Sequence, residues 1–185
     1  MMSPEQQRSE VILRLSQAVG TLSGAMDHRL ALGAHANVGY ALTGARDSTG
    51  VAAVKGGLGV QNEVVRAAGD CVFDADPLIA RVILSAAKFD PAMRSAAVIR
   101  YSDKLPDVLE DMFIECCTVD RCRQPAGIST MDWGVASCCK DGVPEAVIDP
   151  GSSPDTSAIY LFGETPGDVT GNIIMLSNRI IHIEL

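Results

Sequence analysis

Aromatic side chains are scarce in this sequence, at 4% of residues, and there are only three histidines. The first shortage leaves Leu, Ile, Val, Ala and Met to fill any core. The second leaves few general bases for catalysis. Blocks of Lys or Arg are missing as well, and the net charge is −8. A phosphate-backbone surface needs basic residues gathered on one face, so nucleic acid is not expected as a partner. No run approaches the eighteen or so apolar residues of a membrane span. The most apolar stretch, 172-NIIMLSNRIIHIEL-185, is interrupted by Ser177, Asn178 and Arg179. The opening MMSPEQQRSEVILRLSQAVG carries Glu5 and Glu10 and spaces its apolar residues, unlike a secretory signal. The expectation is a soluble, cytoplasmic protein with no membrane partner.

What is present suits a folded chain: 185 residues, 47% hydrophobic and 21% charged, within the range of a single domain over residues 1–185. Apolar residues at Val11, Ile12, Leu15, Val19, Leu22, Met26 and Leu30 step by three and four. That is the stripe of an amphipathic helix, started by Ser3 and Pro4. The pattern extends more weakly, through several glycines, toward Ala45. Residues 47-DSTGVAAVKGGLG-59 read as a connection, with a helix from about Val60 to Ala68. Asp76-Pro77, Asp90-Pro91 and Leu105-Pro106 each look like helix starts, because Asp caps exposed N–H groups and proline loses nothing in the first turn. After a proline-rich loop at 142–157, the stretches AIYLF, NIIML and RIIHIEL read as strands, with a hairpin at Ser177-Asn178. The predicted class is therefore α+β: helical over about 1–140, with a small antiparallel sheet over 158–185.

Five of the six cysteines fall in 114-IECCTVDRC-122 and 138-CC-139. The spacing of Cys117 and Cys122, with Cys138 and Cys139 across a loop, suits a thiolate site for zinc or iron. Against it, adjacent cysteines rarely reach one tetrahedral ion together. Buried cysteine also packs as a small hydrophobe, and Cys116 falls on the apolar face of its predicted helix. A redox or disulfide role is the third reading. Separately, 69-GDCVF-73 resembles, over a tripeptide, the nucleophile segment of ovarian-tumour-type cysteine proteases. That resemblance implies a nucleophile at Cys71, for which His182 is the candidate base.

The glycine-rich 55-KGGLG-59 fails the phosphate-loop pattern, since its lysine precedes the glycines and no Ser or Thr follows. His28 and His35 are expected to face solvent, and the carboxylates at Glu110, Asp111 and Glu115 to form a solvated helix face. Two functions emerge. The first is an assembly subunit whose N-terminal helix associates with another protein, as a homo-oligomer or in a larger complex. The alternative is a small thiol- or metal-dependent enzyme using Cys71 with His182, or the Cys116–Cys139 cluster.

Overall fold

Among the described residues, three helices begin where the sequence supplies a side-chain cap. In the first, α1 (Pro4–Leu22), the Ser3 hydroxyl accepts from the Gln6 N–H while the Gln6 amide oxygen accepts from the Ser3 N–H. This reciprocal box satisfies two orphan donors, and Pro4 occupies a position whose N–H would be unpaired in any case. The structure, a computed structural model, describes residues 1–33, 35–128 and 130–185, the side chain of Thr130 excepted.

The chain continues through strands β1 (Asn37–Ala41) and β2 (Val51–Val54), a hairpin of β3 (Leu58–Gln61) and β4 (Val64–Ala67), and β5 (Cys71–Phe73). Helix α2 (Pro77–Ala87), strand β6 (Ser95–Ile99), helix α3 (Leu105–Asp111) and strand β7 (Cys116–Thr118) follow. Last come α4 (Thr130–Cys138), β8 (Ala146–Asp149), β9 (Ala158–Gly163) and α5 (Pro166–Arg179). Seven strands form one sheet in the order β5-β2-β1-β6-β9-β8-β7. Every pairing in it is antiparallel except β7 with β8.

Both faces of the sheet are covered. Helices α1, α3 and α5 pack on one side, over Val38, Tyr40, Ile99, Ile159 and Leu161. Helices α2 and α4 pack on the other, over Ala53, Val98, Val147 and Phe162. Alternate residues of each strand feed opposite cores, as the two-residue strand period requires. Closest approach comes at Gly39 in the middle of β1. A Cβ there would meet the Ala52 carbonyl oxygen at 3.0 Å and the Ile83 Cδ1 at 3.1 Å, and Ile79 Cγ2 closer still. Glycine is what lets α2 rest directly on the backbone of the sheet.

The architecture corrects the α+β expectation of a helical first two thirds with a small C-terminal sheet. It is an α/β fold around a seven-stranded mixed sheet, with strands from residue 37 onward. The stretch from Val60 to Ala68 lies in the β3–β4 hairpin and not in a helix. Asp90-Pro91 precedes a turn and then β6, whose residues are all buried. A strand covered on both faces shows no alternation and so imitates a buried helix. The proposed hairpin at Ser177-Asn178 is instead the last part of α5, capped at its start by Thr165 and Asp168.

The N-terminal stripe is real but already occupied. Val11, Leu15, Val19 and Leu22 are buried against the chain's own α5, β1, β2 and β5. Leu15 and Leu22 each contribute about 1.5–3 kcal/mol by that burial. Met26 and Leu30 continue the buried row after the helix has ended. Among the described residues no helix is long and apolar enough to cross a membrane.

Candidate functional site

At one end of the sheet the start of β1, the ends of β2, β6 and β8 and the start of β9 come together. The pairings Asn37 with Val98 and Val98 with Tyr160 fix this edge across the three central strands. The N-terminus of α2 closes it from one side.

The hub is Asn37, 1% exposed. Its amide nitrogen donates to the Val54 carbonyl at 2.9 Å and to the Asp76 carboxylate at 2.7 Å. Its amide oxygen accepts from the Val38 N–H at 2.8 Å and the Val54 N–H at 3.2 Å. Asp76 in turn accepts from the Leu78 and Ile79 N–H groups, the cap that the sequence suggested. One buried amide thus ties β1, β2 and α2 together beside the cleft, with its hydrogen-bonding capacity spent internally.

A cleft of about 660 Å³ lies along this edge, between Arg100 and Tyr101 on one wall and the loop of residues 150–157 on the other. It falls in the range of small-molecule sites. The loop, 150-PGSSPDTS-157, is held from beneath. Asp149, 2% exposed, accepts from Arg121 Nε at 2.8 Å and Nη2 at 2.9 Å, and from the Gly151 N–H at 3.1 Å. Arg121 Nη2 also donates to the Thr156 carbonyl at 3.2 Å. Within the loop, the Thr156 hydroxyl accepts from the Ser152 and Ser153 N–H groups. Gly151 sits at φ +66°, where an added Cβ would press on the Ser157 backbone nitrogen. The result is a pinned loop that places the exposed Ser152 and Ser153 in the cleft wall.

Opposite them, the half-buried Arg100 has no side-chain partner among the described residues. A guanidinium left unpaired beside hydroxyl groups is suited to a phosphate or carboxylate. A chamber of about 320 Å³ adjoins the cleft, sharing Gly33, Pro154, Asp155 and Ser157 with it. Its own walls include Leu78, Val98, Tyr160 and the exposed His35.

The cysteines lie away from the cleft and its chambers and do other things. Cys117 and Cys138 form a disulfide that joins β7 to the end of α4. Of the four candidate ligands this leaves Cys122, exposed, and Cys139, buried. Among the described residues no group of three or more His, Cys, Asp or Glu is placed to hold a metal ion. The zinc or iron site expected from Cys117, Cys122, Cys138 and Cys139 is therefore corrected: two of its sulfurs are bonded to each other. Cys71 is buried on β5, and burial pushes its thiol up, with Asp70 adding to the rise and a hydrogen bond with Ser16 opposing it. His182 is exposed in the tail after α5 and is not among the groups acting on that thiol. Burial, reinforced by Glu110, Glu145 and Glu115, pushes Cys116 up to about 11. A nucleophilic cysteine needs the opposite shift.

The sequence alone does not single out Arg100, Tyr101 or Tyr160, and 142–157 reads there as a proline-rich loop. The available signal was a cluster of hydroxyl residues between two apolar strands, together with a lone Asn in the apolar run 36-ANVGYA-41.

Comparison with known proteins places this chain in a family. The model for "Thiamine-phosphate synthase ThiN" matches residues 14–175. The chain is 31% identical over 170 residues to the bifunctional thiamine biosynthesis protein ThiDN of Methanocaldococcus jannaschii. That match covers 90% of this chain and 40% of the relative, so the chain spans less than half of the relative's length. Among solved structures, the C-terminal domain of protein MJ0236 aligns with a TM-score of 0.87 at 28% identity, covering all of both chains. The C-terminal domain of a phosphomethylpyrimidine kinase aligns at 0.82 and 27% identity, over 91% of this chain and 98% of its own. YgbL from Klebsiella pneumoniae, at 0.50 and 13% identity, shares the fold alone. These matches overturn the assembly subunit as the reading of the chain. The chain belongs to the thiamine-phosphate synthase ThiN family.

Proposed function

We propose that this chain binds thiamine phosphate in the cleft at the strand ends and carries out its synthesis. Thiamine phosphate consists of an aminopyrimidine joined through a methylene carbon to the nitrogen of a thiazolium ring, whose ethyl arm bears a phosphate. Making it forms that carbon–nitrogen bond and breaks the bond from the same carbon to an anionic leaving group, which departs with the electron pair. The thiazole nitrogen becomes a fixed cation. The protein's tasks are to align the two rings, exclude water from the methylene carbon and neutralise anionic charge.

The observation that carries the reading is the unpartnered Arg100 facing the serine-bearing loop, in a cleft of about 660 Å³. The family membership and the thiamine names of the relatives support it. The test is direct. The purified chain is incubated with an activated aminopyrimidine and a thiazole phosphate, and thiamine phosphate is read as fluorescent thiochrome after oxidation. Titration calorimetry with thiamine phosphate measures binding separately. Absence of both signals overturns the proposal.

One observation favours a second reading, binding without turnover. The ionisable groups lining the cleft and its neighbouring chambers include Arg100 and His35 but also Asp76 and Asp155. A leaving group of several negative charges calls for more cationic help than this. Calorimetric binding with no thiochrome signal selects that reading. A cytoplasmic location is part of the proposal, supported by four of the six cysteines being free; the Cys117–Cys138 bond weighs the other way.

A further inference from the structure

The polar group that stands out in the chamber beside the cleft is Tyr160. It lies on β9, is 6% exposed, and forms part of the chamber wall. Its hydroxyl has no hydrogen-bond partner among the described residues. Yet no side-chain nitrogen or oxygen among them is both fully buried and unsatisfied, so the sliver of Tyr160 that remains accessible includes this oxygen. Buried phenols normally find a partner. Here the partner's place is the chamber itself.

The surroundings say what kind of partner fits. Val98 and Leu78 supply apolar walls, and Gly33 and Pro154 narrow the space shared with the cleft. Burial, with Asp149 adding to it and Arg121 and Arg81 opposing, pushes the Tyr160 hydroxyl up to about 12. It stays protonated near neutral pH and is available as a donor. A slot walled by Leu78, Val98 and Ala158, with the polar residues His35, Asp155, Thr156 and Ser157 also lining it and one buried neutral donor in Tyr160, suits a flat ring carrying nitrogen acceptors. It does not suit an anion, which has Arg100 next door.

We propose that Tyr160 anchors the aminopyrimidine end of the ligand by donating to a ring nitrogen, while Arg100 and the 150–157 loop hold the phosphate end. This rests on the reading of the cleft as a thiamine phosphate site and gives the ligand a direction within it. Tyr160 is a positioning and specificity residue, with no bond made or broken at its oxygen.

The test compares three probes by titration calorimetry: thiamine phosphate, thiamine, and the free 4-amino-5-hydroxymethyl-2-methylpyrimidine. Tyr160→Phe keeps the ring and removes the donor. It is expected to weaken all three probes by a similar factor, roughly three- to ten-fold, the net worth of one hydrogen bond. Arg100→Gln is expected to weaken thiamine phosphate and leave the other two unchanged. Leu78→Trp, from a half-buried position, fills the slot and is expected to abolish binding of the free pyrimidine. Thermal unfolding of each variant checks that it is folded.

The inference is overturned if folded Tyr160→Phe binds the free pyrimidine as tightly as the wild type, or loses affinity for thiamine phosphate alone. It is equally overturned if the wild type does not bind the free pyrimidine. The two proposals fail separately. A wild type that ignores thiamine phosphate but binds the pyrimidine through Tyr160 sinks only the functional reading. One that binds thiamine phosphate without dependence on Tyr160 sinks only this one.

Discussion

Replacing Gly39 by alanine adds one methyl group at the point where α2 touches the sheet. The new carbon would stand 3.0 Å from the Ala52 carbonyl oxygen and 3.1 Å from Ile83 Cδ1, with Ile79 Cγ2 nearer than either. Carbon atoms in contact prefer about 3.5–4.0 Å. Ile83 can yield, because its Cδ1 is the free end of a side chain. Ile79 cannot easily do so: it is fully buried, and a β-branched residue in a helix is held to one χ1 well. Ala52 is backbone and is fixed by its pairing with Tyr40 and Phe73. The helix must therefore lift, breaking contacts along its buried face. Overpacking of this kind costs about 1–3 kcal/mol, and the three-sided confinement puts Gly39→Ala at the upper end. Urea unfolding followed by circular dichroism should show the midpoint falling by about 1 M or more at an unchanged slope.

A double-mutant cycle isolates the cause. Ile79→Ala alone should cost about 2–5 kcal/mol through its cavity. Combined with Gly39→Ala it should cost less than the sum, by about 0.5–3 kcal/mol, because the new methyl enters the space vacated. Additive behaviour, or a Gly39→Ala variant within about 0.5 kcal/mol of the wild type, would refute the claim that direct helix-on-backbone packing sets the position of α2.

Three further outcomes follow from the same geometry. Asn37→Asp puts a carboxylate oxygen where an amide now donates at 2.7 Å to Asp76; unfolding at two pH values should find it more destabilised at pH 7 than at pH 4, where protonation relieves the clash. Asp27 is held below its ordinary value chiefly by hydrogen bonds from Arg29. Its stabilisation is accordingly present above that ordinary value and lost as pH falls through the lower folded one. Asp27→Asn should cost about 1–3 kcal/mol at neutral pH and flatten the acid limb of a stability profile below about pH 4. Cys117→Ser opens a disulfide spanning 21 positions, and loss of up to about 3 kcal/mol is expected from the freed denatured chain. Adding reductant to the wild type should reproduce the loss, and should do nothing to the variant.

The parts of the fold that could be read in advance are those with a chemical start signal. Ser3-Pro4 and Asp76-Pro77 begin helices where expected, and AIYLF is the strand β9. The errors have more than one cause. Central strands such as 95-SAAVI-99 are buried on both faces, so the alternation that marks a half-exposed strand is erased. Helix α5 was misread in the other direction, its Ile-rich centre outweighing the Thr165-Pro166-Gly167-Asp168 start. The site was harder still. Asn37, Arg100 and the stretch holding Ser152 and Tyr160 are three distant segments that become neighbours only through strand order, which no local pattern encodes. The cysteines drew attention because they cluster in sequence, while the lining of the cleft does not.

That same strand order governs how the protein comes into being. The cleft is lined by segments more than a hundred residues apart along the chain, with Leu32 and Gly33 arriving early and the 150–157 loop late. During synthesis β6 and β8 must wait, greasy and half paired, until β9 emerges to fill the place between them. A polypeptide cut short before residue 158 would possess most of the helices and none of the completed binding edge.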